Sequence, residues 1–357
     1  MAYPQIDRAM EKGVAQGVFP GGVLLFAKGE KLLYHRAFGT ANLRTGAPVK
    51  IESVFDLASL TKPLATALAV AELIKKKKVT LETSLGDVIP QMQQTPKAGI
   101  TMDMLLRHTS GLPAHRKYFK IVGKGNQEPR KRLRELIQAE PLDAEPGSVQ
   151  VYSDLGYMVL AWVVEILSGQ RLDSFVSDHI YTPLGLTGLF FMDLSAPTKK
   201  NTSLMVSTQD CPWRQKLLTG EVEDENAWVV GGIEGHAGLF GDALSVHQLC
   251  CEIMDIVQGR GTKVLDPGVI QTFVQKEPGR DRVAGFDTPA DKGSSSGSWF
   301  SQSSLGHLGF TGTSFWMNPE SGLIVVLLTN RVHPNRENVK IKEFRPWIHD
   351  LISVRQR

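Results

Sequence analysis

Ser59 and Lys62 stand three residues apart in Phe55-Asp56-Leu57-Ala58-Ser59-Leu60-Thr61-Lys62-Pro63-Leu64. On a helix, that spacing puts both side chains on one face. A serine hydroxyl is a poor nucleophile at neutral pH and needs a base beside it. A lysine becomes such a base when burial or nearby positive charge disfavours its ammonium form. The pair alone carries little weight. Ser-x-x-Lys arises by composition in chains of this length, and it also describes a capping serine with a surface lysine one turn on.

Two later segments add chemistry. Val151-Tyr152-Ser153-Asp154-Leu155-Gly156-Tyr157 follows a turn signal, Glu145-Pro146-Gly147-Ser148. It precedes an apolar run, Met158–Leu167, that reads as a buried helix. Tyr152 at the mouth of that helix is either a core residue with a wet hydroxyl or a proton carrier beside Ser59. The second segment is Gly306-His307-Leu308-Gly309-Phe310-Thr311-Gly312-Thr313-Ser314-Phe315-Trp316. Its β-favouring residues predict a strand over Gly306–Met317, with glycines that let another group approach the backbone.

Ser59-x-x-Lys62, Tyr152-Ser153-Asp154 and His307-Leu308-Gly309, in that order, resemble the active-site motifs of the serine β-lactamase and penicillin-binding-protein superfamily. The class C-like branch, with its esterases and cell-wall amidases, is the most similar. Leu105-Leu106-Arg107-His108-Thr109-Ser110-Gly111-Leu112, Pro183-Leu184-Gly185-Leu186 and Gly235-His236-Ala237-Gly238-Leu239-Phe240 extend the resemblance from about Ile6 to about Asn330. It implies Ser59 as acylated nucleophile and Lys62 and Tyr152 as proton carriers, with the formal base left open between them. It also implies an oxyanion hole from the backbone N–H groups of Ser59 and Phe310, and substrate contacts from Asp154, His307 and Gly309. Two positions depart from the family's usual residues. Asp154 stands where Asn is usual, and an ionised Asp only accepts hydrogen bonds. Asp154 either holds Lys62 as ammonium or orients another donor. His307 stands where Lys is usual, which removes a permanent cation facing the substrate carboxylate. Both changes point away from β-lactams.

The elements that must position these residues follow from periodicity. Helical spacing of Ala65, Ala67, Leu68, Ala69, Ala71, Leu73 and Ile74 predicts a helix that runs to about Ile74 with Ser59 at its N-terminus. Free N–H groups there favour developing negative charge. Ile6–Gln16 reads as an amphipathic helix. Gly21–Phe26 and Leu32–Phe38 read as a hairpin around Lys28-Gly29-Glu30-Lys31. Helical patterns dominate from 62 to about 230, a strand returns at Gly322–Thr329, and Val339–Val354 reads as a closing helix. Strands at both ends with helices between predict an α/β fold of the α+β type. In it an antiparallel sheet, from about 1–65 and 230–357, is flanked by helices and joined to a mainly helical subdomain, about 66–229. The family's architecture is the same, with the active site in the cleft between the two parts.

At 357 residues the chain has ample core for one large catalytic unit. A net charge of +3 makes no general case for nucleic acid. No apolar run reaches the eighteen or so residues of a membrane span, and the opening residues lack a signal pattern. Cys211, Cys250 and Cys251 are odd in number and lack metal spacing, so reduced thiols in a cytoplasmic protein are the simplest reading. No metal or cofactor is called for. Gly293-Ser294-Ser295-Ser296-Gly297 matches a nucleophile-elbow pattern but lacks the strand before it and the helix after it, and reads as a flexible surface loop. Lys75–Lys78 reads as a solvated helix end. The basic stretch Arg116–Arg134 reads as a solvated face, although the family brings this segment toward the cleft. Asp210–Arg214 and Asp224–Ala227 read as a polar loop network, and His108 and His236 as structural. The expected activity is a metal-free serine hydrolase, foremost a carboxylesterase on small esters. An amidase or peptidase on muropeptides, a β-lactamase and an acylated sensor are the alternatives.

Overall fold

The chain opens with helix α1 (Pro4–Ala15). Strands β1 (Gly21–Lys28), β2 (Lys31–Asn42) and β3 (Ala47–Pro48) follow. Next come helices α2 (Ala67–Lys75), α3 (Asp154–Ser168) and α4 (Ala243–Val257). Strands β4 (Arg282–Val283), β5 (Phe286–Asp287), β6 (Leu305–Leu308), β7 (Ser314–Asn318) and β8 (Leu323–Thr329) precede the last helix, α5 (Ile341–Ser353). This computed structural model describes residues 3–196 and 200–354, so Met1 and Ala2 of the opening segment lie outside the described residues.

All eight strands form one antiparallel sheet in the order β3-β2-β1-β8-β7-β6-β5-β4. Period-two alternation sorts its side chains between two cores. Leu24, Phe26, Val325 and Leu327 pack with Ile6 and Met10 of α1 and with Phe344, Ile348 and Ile352 of α5. Val23, Leu25, Ala27, Ile324, Val326 and Leu328 face the opposite core, which holds α2, α3 and α4. β8 is therefore buried throughout, as its unbroken apolar sequence requires. The hairpin, the opening helix and the closing helix match the sequence reading to within a few residues.

Three expectations are corrected. The helix predicted from Ser59 to Ile74 is not continuous: a 3₁₀ turn at Ala58–Leu60 and a π turn at Lys62–Thr66 precede α2. Pro63 has no N–H to give, which interrupts the regular ladder at that point. The strand predicted over Gly306–Met317 is a hairpin, β6 and β7, bent at 309–313. The Gly293–Gly297 segment is anchored rather than free. Ser296 is fully buried, the Ser298 N–H donates to Asp350, and His349 Nδ1 bonds the Ser295 carbonyl at 3.0 Å. Strands also occur in the middle region, at Leu189–Phe191, Ser207–Cys211 and Lys216–Thr219, each too short to show a period against the surrounding helical patterns. No helix among the described residues is long and apolar enough to cross a membrane.

Asn330, just past β8, ties the sheet's centre together. Its Oδ1 accepts the Gly21 N–H at 2.9 Å, and its Nδ2 donates to the Thr40 and Ala41 carbonyls. Asn330→Ala strands a buried donor and two acceptors. We expect it to cost about 2–4 kcal/mol, read as a lower urea midpoint at unchanged slope.

Candidate active site

Strand Phe55–Asp56 pairs with Leu239–Gly241, which brings the Ser59 turn against residues 236–238. The turn is held tightly. Asp56 Oδ1 accepts the Ala58 N–H at 2.8 Å, and its Oδ2 accepts the Glu223 N–H at 2.6 Å. Burial pushes the Asp56 carboxyl up to about 6, against those two bonds. Ala58 sits at φ +48°, a left-handed conformation that costs a non-glycine residue energy and that its neighbours must enforce.

Lys62 lies one turn on, fully buried. Its ammonium donates to Ser59 Oγ at 3.2 Å, Asp154 Oδ1 at 2.8 Å and the His236 carbonyl at 3.1 Å. Burial works against this charge, but Asp154 and Tyr152 beside it reverse the effect and raise the Lys62 pKa. Burial likewise raises Asp154, and Lys62 overrides it, so Asp154 stays ionised far below the usual carboxylate range. Lys62 therefore rests as an ammonium, and Asp154 answers to both readings open for it: Oδ1 holds that ammonium while Oδ2 meets His115 Nδ1 at 3.1 Å.

α3 positions Tyr152 and Asp154. Ser153 caps it by accepting the Gly156 N–H at 3.2 Å, while its hydroxyl donates to the Pro113 carbonyl at 2.6 Å. His108 Nδ1 accepts the Ser153 N–H at 3.0 Å, and its ring lies 4.6 Å from that of Tyr152, so His108 is structural as read. The Lys62 ammonium sits 4.8 Å from the centre of the Tyr152 ring. Burial raises the phenol's pKa, while the facing Lys62 and Ser59 side chains pull it back.

The β6–β7 turn supplies the remaining backbone. Gly309 donates to the Thr313 carbonyl at 2.7 Å. The Thr311 and Thr313 hydroxyls bond the carbonyls of Asp56 and Leu57 at 2.7 and 3.0 Å, locking this turn onto the Ser59 turn. A Cβ on Gly309 would lie 2.6 Å from the Leu57 carbonyl oxygen, so only glycine fits. Among the described residues none accepts the Phe310 N–H. His307 is buried, its ring 5.9 Å from that of Tyr152. Burial pulls its pKa down to about 4, and Nδ1–H donates to the Leu308 carbonyl at 2.9 Å, so it is neutral with its lone pair on Nε2.

Ser59, Tyr152, Asp154 and Phe310 line one cavity of about 320 Å³. His307 and Gly309 lie behind its wall instead of on it. His115, Glu223, Asp224, Glu225, His236 and Arg336 supply the rest of its polar lining. His236, read as structural, stands on the cavity wall. Its Nε2 meets Asp224 Oδ1 at 2.9 Å, and Asp224 outweighs burial to raise its pKa. Arg336 Nη2 bridges Glu223 and Glu225 at 2.7 and 2.8 Å. These residues sit in segments that show only as polar loops, because no spacing rule links 224 to 236 or 225 to 336. The basic stretch is largely ion-paired: Arg116 with Glu140, Arg130 and Arg134 with Glu165. The three cysteines are free and buried.

Asp154→Ala leaves a wholly buried ammonium without its counter-charge. We expect a loss of about 3 kcal/mol or more near neutral pH, measured by denaturant titration. In the native protein Asp154 has a depressed pKa and Lys62 a raised one, so the pair's stability is complete between about pH 4 and about pH 10, fading as pH falls below that window or rises above it.

The Beta-lactamase family model matches residues 6–345. A protein of Salmonella schwarzengrund, provisionally named a D-alanyl-D-alanine carboxypeptidase, is 30% identical over 355 residues, spanning 90% of this chain and 81% of that protein. Among solved structures, the octameric penicillin-binding protein homologue from Pyrococcus abyssi superposes with a TM-score of 0.76 at 19% identity, over 99% of this chain and 77% of that one. EstCE1, a hydrolase with promiscuous acyltransferase activity, gives 0.73 at 22%, over 96% and 98%. These two share the fold. The family match over nearly the whole length makes the chain a member of the Beta-lactamase family and a serine hydrolase.

Proposed function

We propose that the protein forms an acyl-enzyme on Ser59 and hydrolyses small carboxylic esters. The observation that carries this reading is the Ser59 hydroxyl held 3.2 Å from the buried Lys62 ammonium, on the wall of an open cavity. Lys62 and Tyr152 both have raised pKa values, so each serves as base only in its deprotonated form, and the base is one of these two. Whichever of Lys62 and Tyr152 has given up its own proton to solvent takes the Ser59 proton as Oγ bonds the carbonyl carbon. The N–H groups of Ser59 and Phe310 receive the oxyanion. The same proton then passes to the departing alcohol, and water releases the acyl group by the reverse route.

A neutral His307 offers no charge to a substrate carboxylate, and Asp154 is committed to Lys62. Small uncharged esters need neither group. A second reading, an amidase or peptidase on peptide fragments, is favoured by the charged lining of Glu223, Asp224, Glu225 and Arg336, and agrees with the name of the Salmonella relative.

Ser59→Ala should lower turnover of p-nitrophenyl acetate at least about a thousandfold and abolish covalent labelling seen by intact-protein mass spectrometry. Retained turnover would defeat the assignment. Lys62→Ala and Tyr152→Phe should each slow acylation about a hundredfold or more, with the double variant losing much less than their product.

The ester should turn over faster than a chromogenic cephalosporin. Release of D-alanine or a peptide from muropeptides at comparable kcat/KM would shift the proposal to the second reading. Asp154 raises the pKa of both Lys62 and Tyr152. Asp154→Asn should therefore move the lower midpoint of the pH profile of kcat/KM toward acid by about one unit, whichever group is the base.

A further inference from the structure

Arg331 and Arg345 are buried, and among the described residues neither has a carboxylate within ion-pair reach. Nearby Arg336 already engages Glu223 and Glu225. An uncompensated buried cation is costly unless other groups satisfy it. Here both guanidiniums donate to backbone carbonyls of a single turn, the one at 309–313. Arg331 Nε donates to the Phe310 carbonyl at 2.8 Å, and Arg345 Nη2 to the Thr313 carbonyl at 3.3 Å.

Arg331 grips Phe310 a second way. Its guanidinium carbon lies 4.6 Å from the centre of the Phe310 ring. Its stem fills the space beside Gly312, where an added Cβ would come within 2.6 Å of Arg331 Cγ. The guanidinium itself is anchored, with Nη1 donating to the carbonyls of Arg336 and Asn338 at 3.1 and 2.7 Å. Phe310 is thus held from behind by its carbonyl and its ring, while its N–H has no acceptor within the described residues.

We infer that Arg331 is a positioning residue for the oxyanion site, holding Phe310 by its carbonyl and its ring so that the residue's N–H faces the carbonyl oxygen of a substrate on Ser59. Its unpaired positive charge also stands behind the place where that oxygen becomes negative. Arg345 adds to the same field from Thr313. The burial cost is present in the resting protein, whereas the compensating anion appears only in the transition state, which is the condition for an interaction to raise kcat. This inference rests on the proposed roles of Ser59 and Phe310.

The test uses Arg331→Met and Arg331→Lys in the full chain, with p-nitrophenyl acetate as substrate and phenylboronic acid as probe. The boronate takes the Ser59 oxygen to form a tetrahedral adduct whose oxygen mimics the oxyanion. Arg331→Met should lower kcat about 10- to 100-fold, leave KM within about threefold, and weaken boronate inhibition by the same factor as kcat. Arg331→Lys keeps the charge and should recover part of that loss. If folded Arg331→Met keeps kcat within about threefold, or loses kcat while boronate inhibition is unchanged, the inference is overturned. Should Arg331→Met fail to fold, Arg331→Lys decides alone: it forfeits the Nε bond to Phe310, and undiminished kcat and boronate affinity would overturn the proposal. A wild-type protein that forms no boronate adduct on Ser59 removes the site reading itself, and this inference with it.

Discussion

A fully buried ammonium must have its three protons accepted, and Lys62 finds acceptors at Ser59, Asp154 and the His236 carbonyl. Those residues come from three distant stretches of chain. The Ser59 turn follows the strand Phe55–Asp56, Asp154 opens α3, and His236 precedes the strand paired with Phe55–Asp56. The charge is tolerable only when all three have arrived, so assembly of the site and docking of the helices onto the sheet are one event.

The two turns flanking Ser59 obey a second constraint. Thr311 and Thr313 bond the carbonyls of Asp56 and Leu57, and Thr61 Oγ1 bonds the Ala58 carbonyl at 2.6 Å. These bonds hold Ala58 in its left-handed conformation and leave little freedom between the two proposed oxyanion donors. Preorganisation of this kind is useful because the donors need not move as charge develops.

Much of this was legible in the sequence. The apolar runs Val23–Ala27 and Ile324–Leu328 marked the central strands, and three short motifs marked Ser59, Lys62, Tyr152, Asp154 and His307. The missing parts fall into two kinds. Local irregularities escaped because periodicity assumes regular elements: the π turn at Lys62–Thr66, and the bend at 309–313 inside an apparent strand. Long-range pairings escaped because nothing in one sequence links Asp224 to His236, Glu225 to Arg336, or Arg331 to Phe310. His307 shows the same limit. Its residue type was visible, but its neutrality depends on how deeply β6 is buried.

The strand order has a temporal consequence. β1 leaves the ribosome early with β2, yet its other edge pairs with β8, from Gly22 opposite Thr329 to Lys28 opposite Leu323. About 300 residues separate the two strands, so at typical synthesis rates the nascent hairpin waits about 15–60 s for its partner. Throughout that interval the apolar edge of Val23–Ala27 has no neighbour of its own chain, and such edges invite pairing with other chains. A molecule built this way leaves the hairpin's edge open until β8 has been made. Its yield on expression should follow chaperone supply and growth temperature more closely than the stability of the finished fold.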